Sequence, residues 1–81
     1  MVNEVSNEDV VALVAEALEC SKEELNENSR FREHGAWDSL AHLSTLALVD
    51  ETFGVVLRGA DFQEIKTVAE LADYVRKARS S

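Results

Sequence analysis

Gly35-Ala36-Trp37-Asp38-Ser39-Leu40 divides this chain of 81 residues into two unlike parts. A polar connection runs into it, and an apolar helix, expected from Ser39 to about Phe53, runs out of it. Leu40, Leu43, Leu46, Ala47, Val49 and Phe53 cover a broad apolar surface, and Leu48 widens it further. This second helix is therefore expected to be the most buried of the set. Gly54 ends it in the usual C-terminal manner. One hydroxyl, that of Ser39, is thereby set at a helix start, with Asp38 before it as a candidate cap.

Upstream, Ser6-Asn7-Glu8-Asp9 opens a first helix, with Ser6 as cap and acids in the first turn that suit the helix dipole. Val10, Leu13, Val14, Ala17 and Leu18 mark its buried face, and its end is expected near Glu19 or Cys20. Residues 21–38 form a long connection, in which Ser21-Lys22-Glu23-Glu24-Leu25 suits a short helical turn and Leu25 and Phe31 are the apolar anchors. A loop of this length tends to carry function. Its acids and amides do not make a calcium loop, because the alternating oxygen ligands, mid-loop glycine and closing glutamate are not in order.

Downstream, Val55-Val56-Leu57 is β-branched and apolar but has no partner strand. It is expected as an extended connector that inserts Val55 and Leu57 into the core. Gly59 to Glu64 suits a short helix anchored by Phe62, with Ile65 after it. Thr67 caps a last helix in a capping-box pattern with Glu70. Its inner stripe is Val68, Leu71, Ala72, Val75 and Ala78, and Arg76, Lys77 and Arg79 suit its C-terminal end. The expected fold class is all-α: a small helical bundle of three main helices plus one short helix, with a long loop between helices 1 and 2. Residues 1–81 are expected to form a single domain with its core at about 6–79.

Composition narrows the function. The formal net charge of −8 repels nucleic acid and anionic membranes, and no basic face is visible. No apolar run approaches membrane-spanning length. Met1-Val2-Asn3-Glu4 lacks the basic and apolar regions of a signal peptide, so a cytoplasmic location is expected. The one cysteine, Cys20, forms no internal disulfide, and Glu19, Glu23 and Glu24 nearby disfavour its thiolate. His34 reads as a loop residue and His42 as a helix-surface residue. Two histidines and one cysteine stand at no recognised ligand spacing, so no metal site is expected. Asp38, Ser39 and His42 have the residue types of a hydrolytic triad. Neighbours on one helical turn seldom reach that geometry, and no Gly-x-Ser-x-Gly elbow is present, so no catalytic residue is assigned.

Gly35-Ala36-Trp37-Asp38-Ser39-Leu40 resembles the Asp-Ser-Leu motif of acyl and peptidyl carrier proteins. Phe53-Gly54-Val55-Val56-Leu57 resembles the end of that family's second helix. Ile65-Lys66-Thr67-Val68 and Leu71-Ala72-Asp73-Tyr74-Val75 resemble its third-helix exit and fourth helix. The resemblance covers nearly the whole chain in the right order. It implies that a phosphopantetheinyl transferase attaches 4′-phosphopantetheine to Ser39, with Asp38 and Leu40 beside it. The arm's thiol would carry acyl or aminoacyl cargo as a thioester. Asp38 would also help the transferase place its magnesium.

The partners implied are that transferase, an acyl- or aminoacyl-loading ligase and a downstream transferase or synthase, met by a monomer. Trp37, Leu43, Ser44, Asp50, Glu51 and Arg58 are candidate partner contacts, Trp37 alternatively being folded over the core edge. Ala41 and Ser44 fill positions often acidic in fatty-acid carriers, and Arg58 replaces a frequent proline. These departures suggest a stand-alone carrier of a dedicated pathway, for a secondary metabolite or a modified sugar or polysaccharide. The alternatives are a carrier of primary fatty-acid synthesis and a non-catalytic helical interaction module with Ser39 unmodified.

Overall fold

The computed structural model describes residues 5–80, so the reading of Met1-Val2-Asn3-Glu4 lies outside the described residues. It is all-helical. Helix α1 spans Asn7–Leu18, α2 Ser39–Phe53, α3 Gly59–Glu64 and α4 Val68–Ser80. Two 3-10 turns, Lys22–Glu24 and Phe31–Glu33, sit in the long loop between α1 and α2, the second of them unforeseen in the sequence. Helix α1 packs on both α2 and α4.

The helix ends follow local chemistry. Ser6 Oγ accepts from Asp9 N–H at 3.0 Å and starts α1. Val5 and Val10 flank that cap at hydrophobic-staple positions, and both are buried. Helix α1 ends at Glu19, which takes the left-handed conformation at φ 57°. Gly54 does the same for α2 at φ 70°, where a residue without Cβ fits at little cost. At α4 the Thr67 hydroxyl accepts from Glu70 N–H at 3.2 Å. The Glu70 carboxylate reaches back one residue further than a capping box requires, to Lys66 N–H at 2.7 Å.

The long loop is fastened rather than loose. Leu25 and Phe31 are buried, as expected of anchors. Ser29 and Glu27 carbonyls accept from Val68 and Ala69 N–H at 3.2 and 2.8 Å. The loop thus satisfies donors at the start of α4 that no helical carbonyl can reach. Val55 and Leu57 are buried and Val56 is exposed, which is the expected alternation of an extended connector.

Two expectations fail. Helix α2 is not the most buried helix: its buried residues are Ala41, Thr45 and Val49, while Leu40 and Leu43 are 66% and 61% exposed. The inner face is the i, i+4, i+8 row of small and β-branched residues, which allows close helix approach. Thr45 is tolerated there because its hydroxyl donates to Ala41 O at 2.8 Å. Ala78 likewise leaves the inner stripe of α4 and is exposed, one turn beyond the last buried residue, Val75.

Candidate functional site

Ser39 is the first residue of α2 and is exposed. Asp38 is the N-cap: its backbone is extended and its Oδ1 accepts from Ala41 N–H at 2.8 Å. The remaining first-turn N–H groups lie outside the intrahelical ladder, so the helix end presents donors and a partial positive charge beside the Ser39 hydroxyl. Trp37, Asp38, Ser39, His42 and Leu43 line an open depression of about 540 Å³.

The wall beside Ser39 is aromatic. Trp37 is half-buried, folded over the core edge with its ring 5.2 Å from Phe31 and 6.2 Å from Phe62. His42 is not a plain helix-surface residue. Its ring lies 5.1 Å from Phe62 and 6.2 Å from Trp37. Phe62 stacks on Phe31 at 5.6 Å with planes 11° apart, and both are fully buried. Arg32 lies over the Phe62 face at 4.7 Å and donates to the carbonyls of Phe62 and Ile65, tying the C-terminal end of α3 to the loop. This clamp joins residues 30 and 33 apart in sequence, and no local pattern announces it.

Asp38, Ser39 and His42 do not assemble a triad. Asp38 Oδ1 is committed to Ala41 N–H, and the His42 ring packs on aromatic rings. Among the described residues no hydrogen bond joins Ser39 to His42.

The other candidate contacts scatter. Leu40 and Leu43 stand beside Ser39, exposed, and Ser44 is half-buried. Asp50 and Glu51 are exposed at the far end of α2, roughly 16–18 Å along its axis from Ser39. Arg58 is the exposed N-cap of α3. Ala41, weighed in the sequence as a surface position lacking an acid, is buried, so its lack of charge reflects packing rather than partner choice.

A second cluster joins Cys20, Glu24 and His34, whose polar side-chain atoms lie within 4.8 Å of one another although their spacing gave no sign of it. Ala36 N–H donates to His34 Nδ1 at 3.0 Å, which leaves the neutral ring's proton on Nε2, 3.3 Å from Glu24 Oε1. As arranged, the histidine is a hydrogen-bonded staple between the two ends of the loop. Burial, and then the Glu24 carboxylate, push the Cys20 thiol above its ordinary value, which agrees with an unreactive thiol.

Comparison with known proteins bears on this site directly. Residues 8–75 match the family described as "Phosphopantetheine attachment site". The acyl carrier protein of Onion yellows phytoplasma (strain OY-M) is 31% identical over 70 residues, which cover 86% of this chain and 92% of that protein.

Proposed function

Because the chain belongs to the phosphopantetheine-binding carrier-protein family, whose cofactor is covalently attached 4′-phosphopantetheine, we propose that Ser39 is the attachment residue and that residues 1–81 form one carrier domain with its core at about 6–79. The observation that carries this reading is the position of Ser39: an exposed hydroxyl at the first residue of a 15-residue helix, beside an open depression.

The residues present fit such a group. The helix N-terminus favours the phosphodiester charge through unpaired N–H groups and the dipole. Asp38 holds the first turn in place through Oδ1 and offers its other oxygen to the transferase's magnesium. Leu40 and Leu43 give an apolar landing beside the arm. When bound, the arm supplies a thiol that holds cargo as a thioester. The protein's own part is to present and deliver; carriers of this kind are generally non-catalytic.

The pathway reading is a dedicated one, for a secondary metabolite or a modified sugar or polysaccharide. It is supported by the first turns of α2, which expose Leu40 and Leu43 and carry no acid between Asp38 and Asp50. A partner surface that is apolar near Ser39 and basic toward Asp50 and Glu51 complements this helix. Ser44 lies on it, and Trp37 and Arg58 flank it in sequence. The loading ligase and the downstream transferase or synthase would share this docking face.

The test is intact mass before and after incubation with coenzyme A and a broad-specificity phosphopantetheinyl transferase. The expected result is a gain of one phosphopantetheine group in the folded protein and none in Ser39→Ala. No gain in folded, unmodified wild type would leave a helical interaction module. Restored growth of cells lacking their fatty-acid carrier would overturn the dedicated-pathway reading alone.

A further inference from the structure

The aromatic cluster has a consequence for cargo, resting on the reading of Ser39 as the attachment residue. We infer that cargo rides outside this protein, because Trp37, His42 and Phe62 seal the interior next to Ser39, and that the carrier therefore suits short or polar acyl and aminoacyl groups.

The nearest way from Ser39 into the core runs between the first turns of α2 and α3. Phe62 fills it from the α3 side, fully buried and stacked on Phe31. His42 closes it from the α2 side at 5.1 Å from Phe62, and Trp37 lies 6.2 Å from each of them. A chain enters only if α3 lifts. Lifting breaks the Arg32 hydrogen bonds to Phe62 O and Ile65 O and strips the guanidinium from the Phe62 face. It also pulls the Tyr74 phenol on α4 from Asp61 on α3, which it meets at 2.9 Å. Beyond the rings lie Val49, Val68, Leu71 and Val75, all fully buried.

What remains beside Ser39 is the open depression lined by Trp37, His42 and Leu43. It suits an arm lying on the surface. Each further methylene of a long chain would stay in water, which is unfavourable, whereas a short or polar group carries no such penalty.

The experiment transfers acetyl-, hexanoyl- and decanoyl-phosphopantetheine onto the protein from the corresponding coenzyme A thioesters. Intact mass verifies each product first; failure at that step contradicts the carrier assignment, not the sealing. Melting temperature and backbone amide shifts are then compared. The expected melting temperature is flat across the three cargoes, with shifts confined to residues 37–43. A rise of roughly 4 °C or more from acetyl to decanoyl, with shifts at Val49, Val68, Leu71 or Val75, would overturn the inference. His42→Ala opens the seal while leaving the Phe31–Phe62 stack and a helix-favouring residue in place. Chain-length dependence appearing in this variant supports the seal, and a flat response in it contradicts the part assigned to His42.

Discussion

At Asp38 the observed cap and the proposed part in the transfer fall on one carboxylate, and substitution separates them. Asp38→Ala removes the acceptor for Ala41 N–H and should cost about 1 kcal/mol of stability, read by denaturant melts. Asp38→Asn keeps a capping oxygen but loses the charge. It should melt close to wild type while phosphopantetheine uptake slows, because the NH2 that replaces the second oxygen cannot ligate the transferase's magnesium. Equal uptake rates would detach Asp38 from the transfer. Tyr74 gives a pH signature. Its hydrogen bond to Asp61 raises the phenol above its ordinary 10.0, with burial second. The fold thus favours the protonated phenol. The contribution is whole below about pH 10 and is lost as pH rises through the raised value. Alkaline stability should therefore fall less steeply in Tyr74→Phe than in wild type, and identical pH profiles would contradict the linkage.

At the scale of elements, the ends of helices were more legible than their faces. Ser6, Asp38, Gly54 and Thr67 act locally, through groups within four residues, so sequence spacing reveals them. Helix α2 is apolar nearly all round, and its periodicity could not say which side turns inward. The size of Leu40 and Leu43 drew attention to the outer side, while the packing surface went to Ala41, Thr45 and Val49. Burial of the small row leaves the large leucines exposed beside Ser39. Glu19 is a weak point of another kind, since a non-glycine residue at φ 57° carries backbone strain. Glu19→Gly should stabilise the protein by about 1 kcal/mol, raising the melting temperature by roughly 4–8 °C. A lower melting temperature would show that the Glu19 side chain does more than end the helix.

For the whole molecule, stability rests on one small core with no disulfide. Phe31 is its hub from the loop side, touching both Trp37 and Phe62. Phe31→Ala should cost about 3–5 kcal/mol, a large share of the ~5–15 kcal/mol typical of a domain, and should broaden or abolish the thermal transition. The site divides by the same logic of range. The place of Asp38, Ser39 and Leu40 at the start of α2 was legible because a helix start is a local event. The Arg32 clamp, the place of His42 among the rings and the Cys20–Glu24–His34 staple arise from contacts across the fold, which no spacing encodes. The central claim, that the arm is carried on Ser39, has a direct measurement. No Lys or Arg lies between Arg32 and Arg58, so trypsin releases residues 33–58 as one peptide holding both Ser39 and Ser44. Tandem mass spectrometry of that peptide from transferase-treated protein should place the phosphopantetheine on Ser39. Its location on Ser44, or on any other peptide, would contradict the account.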